Sequence, residues 1–357
     1  MPLDRRIQDL LGIDLPILQA PMAGAQGAGM AIAVSEAGGL GALPCALLSV
    51  AQARTELGII RQRTSRPINL NFFCHKPPVP DAAREAQWRA RLAGYYRELG
   101  IDPEGPIPAS NRAPFDDAFC ELVEEFRPEI VSFHFGLPEE RLVNRVHAAG
   151  ARVLSSATTA AEARWLADHG CDAIIAQGNE AGGHRGIFLG EDVGAQPGTL
   201  ALVPQVVDAV KLPVIAAGGI TDARGIVAAF ALGASAVQVG TAYLFTPEAT
   251  ITPMHRAALA RATDDGTALT NLFTGRPARG LVNRVMREIG PLSTDAPAFP
   301  TAGGALAPLK ARAEAAGSAD FSSLWSGQAA ALGRAMPAGD LTRLLASEAK
   351  ALLSALS

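Results

Sequence analysis

Ala173-Ile174-Ile175-Ala176-Gln177-Gly178-Asn179-Glu180-Ala181-Gly182-Gly183-His184-Arg185-Gly186 is the stretch on which the reading of this chain turns. It begins as a short apolar run, the pattern of a strand buried on both faces of a parallel sheet. It then breaks into a polar, glycine-dense loop carrying one histidine and one arginine. Glycines let backbone approach a ligand closely and supply positive φ where other residues cannot. A buried strand that ends by delivering an ionisable ring on such a loop marks an active-site edge. A surface turn with an incidental histidine is the plainer alternative.

The pattern repeats outward from this stretch. Apolar runs recur before it at 16–20, 40–43, 67–73, 129–135 and 152–156, and after it at 213–217 and 236–239. Helix-length segments fill the intervals: one ending at Ala37, then 49–62, 81–99, 116–126, 139–149, 159–169, 199–210 and 222–232. Several close on a glycine, as Gly38, Gly150, Gly170 and Gly233 do. Eight strands alternating with helices over about 245 residues predict right-handed βαβ units, hence an α/β fold of the (β/α)8 TIM-barrel type. An open dinucleotide-binding sheet would carry GxGxxG after its first strand. The loop there reads Pro21-Met22-Ala23-Gly24-Ala25-Gln26-Gly27, which lacks that pattern.

The barrel is expected over 1–250, interrupted by an insertion at 76–115, where Pro77-Pro78-Val79-Pro80 leads into an Arg- and Glu-rich helix and a Pro- and Gly-rich loop. Residues 251–335 read as a helical cap and substrate-binding subdomain, with helices at 252–265, 276–288 and 306–335. Leu341, Leu344, Leu345, Leu352 and Leu353 recur at helical spacing, so 336–357 is expected to be a helix packing back on the barrel.

Hydrophobic content of 48% with only 5% aromatic gives a core of Ala, Val, Leu and Ile, suited to close-packed helices on a sheet. A net charge of −4 offers no basic footprint for nucleic acid or an anionic membrane. Cys45, Cys74, Cys120 and Cys171 show no metal-ligand spacing, so no zinc is expected, and they read as reduced thiols of a cytoplasmic protein. Arg5 and Arg6 precede no apolar run, which argues against a signal peptide. The most apolar window, 228–245, is broken by Gly233, Ser235, Gln238 and Gly240 and reads as helix end, turn and strand rather than a membrane span.

A TIM barrel keeps its active site at the C-terminal ends of its strands, and the loops after strands seven and eight commonly hold a phosphate. Those loops are Ala217-Gly218-Gly219-Ile220 and Gln238-Val239-Gly240-Thr241. Both place backbone N–H groups where an anion can be met, with a helix N-terminus behind them; tight turns alone are the plainer reading. Asn71, His134, Gln177 and His184 fall at other strand ends. Amides such as Asn71 and Gln177 suit the carbonyls and ring nitrogens of a flavin, and Met22 suits its apolar face. Asn69 and Asn71 in one strand both need partners. His134 reads as a hydrogen-bonded strand histidine, and His147 and His169 as surface groups at helix C-termini. His75 stays open.

Taken together, Gln19-Ala20-Pro21-Met22-Ala23-Gly24, Asn69-Leu70-Asn71-Phe72-Phe73, Gln177 through Gly186, Ala217-Gly218-Gly219-Ile220 and Gln238-Val239-Gly240-Thr241 resemble the nitronate monooxygenases. Phe273-Thr274-Gly275-Arg276-Pro277-Ala278-Arg279-Gly280 and Ser323-Leu324-Trp325-Ser326-Gly327-Gln328 extend the resemblance over most of the chain. It implies an FMN-dependent barrel that uses O2 to oxidise alkyl nitronates to a carbonyl compound and nitrite. By that resemblance Asn71, Gln177, Gly182, Gly219, Gln238, Val239, Gly240 and Thr241 would contact FMN, and His184 would be the catalytic histidine. A cationic or hydrogen-bonding imidazole would hold the nitronate oxygens, and the same ring can remove the α-proton of a neutral nitroalkane. Arg185 is read either as an anion-binding group or as a surface ion-pair partner. The EAGGH core is shared with related flavin reductases, so an NAD(P)H-dependent reductase of a quinone or an enoyl thioester is the alternative on the same frame.

Overall fold

The computed structural model describes residues 4–108, 110 and 112–356. Its strands, in chain order, are β1 Ile17–Gln19, β2 Gly41–Pro44, β3 Ile68–Phe73, β4 Ile130–His134, β5 Arg152–Ala157, β6 Ala173–Gln177, β7 Gly183–His184, β8 Val214–Ala217, β9 Ala236–Val239, β10 Thr267–Thr270 and β11 Ala278–Leu281. Eight of them pair in parallel in the order β1-β9-β8-β6-β5-β4-β3-β2. The two ends of that sheet meet. The Leu40 N–H, just before β2, donates to Ile17 O at 3.0 Å, and the Gln19 N–H donates to Leu40 O at 2.9 Å. The predicted (β/α)8 barrel is therefore closed.

Strand parity decides which side chains look inward. In β6, Ala173 and Ile175 join Leu18, Leu154 and Ile215 inside the barrel, while Ile174 and Ala176 pack outward on the helices. Gln177, two residues after Ile175, continues the inward row at the barrel mouth. Helix Arg6–Leu11 seals the opposite end with Ile7 and Leu11. Helix starts follow the predicted chemistry: Ser49 and Gln52 form a reciprocal capping box for Val50–Arg63, worth about 1 kcal/mol. Gly41 shows how tightly the helical layer sits, since a Cβ there would fall 2.0 Å from Ala31 O.

The inserted helix Ala82–Glu98 does not stand apart from the chain's C-terminal third. Its Trp88, Leu92 and Tyr96 share a second core with Phe273, Met286 and Leu309. Trp88 Nε1 donates to Ala302 O at 3.0 Å, and the Tyr96 hydroxyl donates to Ala305 O at 2.6 Å. Helix Ala338–Leu356 packs back on Ala28–Glu36 and Ala223–Ala231, with Leu341 and Leu345 buried. Among the described residues no helix is long and apolar enough to cross a membrane.

Between 252 and 335 the structure corrects the expectation of continuous helices. The first helix is only Pro253–Leu259, and β10 follows it. Residues 276–288 are not one helix but β11 followed by helix Arg284–Ile289. Helix Gly303–Ala315 ends well before 335, and beyond it only the short 3-10 turn Ala330–Leu332 is helical before Ala338. The cause is a three-stranded antiparallel sheet, β10-β11-β7, in which Ala278 faces His184 and Arg279 faces Gly183.

Candidate active site

A cavity of about 370 Å³ opens at the C-terminal ends of the barrel strands. His184 enters it from β7, and three hydrogen bonds explain its position. Its own carbonyl accepts from Gln177 Nε2 at 3.0 Å and from His134 Nε2 at 3.1 Å, while Gln177 Oε1 accepts from the Gly186 N–H at 2.8 Å. Because His134 Nε2 faces a carbonyl it carries the ring proton, so Nδ1 accepts from Ser156 Oγ, 3.0 Å away. Burial pushes His134 down to about 4, consistent with that neutral tautomer. His134 is thus the hydrogen-bonded strand histidine expected, and its work is to hold His184.

The His184 ring lies among Phe73, Phe135, Phe299 and Trp325, with centroids 5.5–5.9 Å away. Its Nε2 sits 3.0 Å from Thr274 Oγ1, whose hydroxyl donates to Arg276 O at 3.3 Å. Thr274 therefore accepts from Nε2–H, which leaves the lone pair on Nδ1. Burial, and after it the charge of Arg112, holds the imidazole well below its ordinary 6.5. Of the two ring states left open by the sequence, the structure supports the neutral, hydrogen-bonding one.

The predicted cofactor residues divide. Met22, Asn71, Gln238, Gly219, Gly240 and Thr241 all line the cavity. Val239 does not: one residue out of phase with Gln238, it is fully buried on the outer face of β9 against the helices. Gln177 lines the cavity, but both ends of its amide are committed to the 184–186 backbone. Gly182 is there because chain must pass it: a Cβ would lie 2.5 Å from Gly327 N. Asn71 Nδ2 donates to Ser132 Oγ at 2.9 Å, whereas Asn69 Oδ1 is buried without a partner among the described residues. The helix behind the 217–220 loop is not free for an anion either, because Asp222 caps it through the Arg224 and Gly225 N–H groups.

The remaining groups fit a flavin mononucleotide. Gln238 Oε1 is buried with no partner among the described residues and belongs to a cavity-lining amide, as the polar edge of a flavin ring requires. The N–H groups of Gly219, Gly240 and Thr241 donate to no acceptor among the described residues, as a phosphate cradle requires. Gly219 has φ of +69°, so a side chain there is strained whatever it blocks. Gly240 gives the cleaner test. Its φ is −113°, and a Cβ would meet Ala20 Cβ at 3.4 Å and Met22 Sδ at 3.8 Å, both ordinary contacts. Gly240→Val is expected to fold with a melting temperature close to the parent's while flavin affinity falls about tenfold or more, ~1.4 kcal/mol. Absorbance of the purified variant measures this, and a normal flavin content would return Gly240 to a turn residue.

Arg185 takes neither role read for it. It is fully buried beneath the loop, donating to Gly178 O at 2.5 Å, Gln177 O at 2.8 Å and Gln196 Oε1 at 2.9 Å. Burial lowers it to about 10, still protonated at neutral pH. His147 and His169 lie outside the cavity as expected, His169 stacked on Trp165 with centroids 3.9 Å apart. His75 is buried against Phe299, not on the cavity wall. Sequence reasoning missed Thr274 and Arg112, which reach the site only through the second core. It also missed Arg276, whose guanidinium lies 4.1 Å over the Phe135 ring.

Comparison with known proteins gives a consistent result. A family model described as nitronate monooxygenase matches residues 4–348. The chain is 44% identical to a nitronate monooxygenase of Pseudomonas aeruginosa, over 96% of this chain and 98% of that protein. It is 42% identical to a nitronate monooxygenase of Paraburkholderia phytofirmans, over 97% of this chain and 95% of the relative. Among solved structures, nitroalkane oxidase from Streptomyces ansochromogenes superposes with a TM-score of 0.88 at 40% identity, covering 99% of this chain and 100% of that one. FabK from Thermotoga maritima superposes with a TM-score of 0.75 at 29% identity, covering 98% and 97%.

Proposed function

The chain belongs to the nitronate monooxygenase family, and from that premise we propose that it uses FMN and O2 to oxidise alkyl nitronates to a carbonyl compound and nitrite. Members of this family are flavoenzymes. The observation that carries the reading to this chain is the buried imidazole of His184, fixed by its own backbone among aromatic rings at the barrel mouth.

The barrel loops would hold the cofactor: Met22 against the ring face, Asn71 and Gln238 at its polar edge, and the Gly219, Gly240 and Thr241 N–H groups on the phosphate. A flavin held there would supply the redox chemistry between the nitronate and oxygen. The chain's own residues prepare the substrate. Phe73 and Trp325, on the cavity wall, would exclude water and accept a short alkyl chain, with Phe135 and Phe299 packed behind the His184 ring. A nitronate is already a carbanion equivalent and needs no proton removed; beside it the His184 ring, whose one N–H is held by Thr274, packs as part of the chamber wall. A neutral nitroalkane gives its α-proton to His184 Nδ1, whose lone pair the Thr274 contact leaves available. Lys310, Glu314 and Ser322, Ser323, Leu324, Trp325 and Ser326 add the rest of the wall from the second core's side.

Anaerobic mixing of the purified yellow protein tests the reading. A short alkyl nitronate is expected to bleach the flavin, with NADH or NADPH leaving it oxidised on the same timescale. In air, nitrite and the carbonyl compound should appear one for one, and mass spectrometry should identify the released flavin as FMN. Rapid bleaching by NADH or NADPH but not by nitronate would instead establish the reductase of a quinone or an enoyl thioester. Release of FAD would remove the argument from the phosphate loops.

A further inference from the structure

Arg112 lies on the loop after the inserted helix and lines the same cavity as His184 and Asn71. It is half-buried. Among the described residues its guanidinium makes no ion pair, and no side-chain hydrogen bond satisfies it. The other guanidinium on this side is already engaged: Arg276 lies over Phe135 and donates to Ile187 O at 2.6 Å. Acid is scarce here. The cavity-lining carboxylate is Glu314, which accepts from Ser322 Oγ at 2.7 Å and faces Lys310 Nζ at 3.9 Å.

A guanidinium partly withdrawn from water, with no acid to neutralise it, is an anion receptor. Its planar fork offers two parallel N–H donors, matching an anion with two oxygens on one atom. A nitronate is such an anion. We propose that Arg112 anchors the substrate by pairing with both nitronate oxygens, and so makes the site select the nitronate over the neutral nitroalkane.

This rests on the nitronate reading above and settles how the negative charge is met. The charge of Arg112 helps to keep His184 unprotonated, so arginine carries the positive charge and the imidazole remains a base. Neither group then has to serve both purposes. Arg112 is a substrate-anchoring residue, and the alkyl chain is left to the aromatic wall.

The experiment uses flavin-loaded R112M and R112Q, with R112K as the conservative variant, and two probes: an unbranched three-carbon nitronate and inorganic nitrate. In R112M and R112Q the KM for nitronate is expected to rise about tenfold or more, with kcat at saturation changed less than about threefold. KM for the corresponding neutral nitroalkane should stay within about twofold. Nitrate affinity, read from the shift in flavin absorbance, should weaken about tenfold, with R112K recovering part of it. Unchanged nitronate KM and nitrate affinity in the loaded variants would overturn the proposal. So would loss of flavin from all three variants, which would put Arg112 on the cofactor instead. If the parent enzyme does not oxidise nitronate at all, the proposed function fails, and nitrate affinity still decides whether Arg112 receives anions.

Discussion

Replacing His184 by alanine is expected to leave the flavin bound and to slow oxidation of a neutral nitroalkane by about 10²-fold or more, the usual scale for a positioned acid–base group. The flavin stays because the loops proposed to hold its phosphate, like the Gln238 amide, belong to other strands. The fold stays because the bonds that fix position 184 are made by its carbonyl, which alanine keeps. Neutral nitroalkane should suffer more than preformed nitronate, since only the former needs its proton removed. The sign of the pH dependence follows from the depressed imidazole. As pH falls through 6.5 an ordinary histidine becomes protonated, whereas His184 keeps its lone pair. The acid limb of kcat/KM for neutral nitroalkane should therefore lie below pH 6.5 in the parent and vanish in His184→Ala. Oxygen uptake on both substrate forms, with flavin occupancy measured on the same samples, decides this. Parent rates in a fully loaded variant would make His184 a structural residue.

The barrel was legible because its two signals are local. Apolar runs mark the strands, and glycines mark where helices end, so β3, β4, β6, β8 and β9 fall within a residue or two of the predicted runs. The two glycine loops proposed to hold a phosphate follow from counting strands. Strand parity also held information that residue-by-residue resemblance does not: with Gln238 inward, Val239 has to face the helices. The small sheet was not legible. Its strands β10 and β11 are four residues long, and β11 reads Ala-Arg-Gly-Leu, too short and too polar to show a period. It exists because 183–184 and 278–279 meet across more than ninety residues of sequence. Thr274, Arg276 and Arg112 were missed for the same reason, since only the second core brings their loops to the barrel mouth. Arg185 was misread because a charged residue beside loop glycines usually faces water, and here it fills the space beneath the loop.

Arg185→Met is expected to cost about 3–5 kcal/mol of stability, the scale for removing one partner from a buried charged network. Methionine fills much of the same volume, so the loss is not mainly a cavity. It comes from Gln177 O, Gly178 O and Gln196 Oε1, acceptors that stay buried when the guanidinium goes. Each such unpaired group costs about 1–3 kcal/mol, and release of a desolvated charge offsets part of the sum. Those acceptors sit where β6 turns into the glycine loop, so slackness there passes to the Gln177 amide and through it to the His184 carbonyl. Lysine should not rescue the variant, because a single ammonium cannot reproduce the planar fork that spans three acceptors. The measurement is thermal or denaturant unfolding of the flavin-loaded variant, with nitronate KM taken below the transition. An anion-binding role makes the opposite prediction: unchanged melting and a raised KM. A melting temperature equal to the parent's would refute the buried strut, whereas a clear drop with KM nearly preserved would locate Arg185 under the site rather than in it.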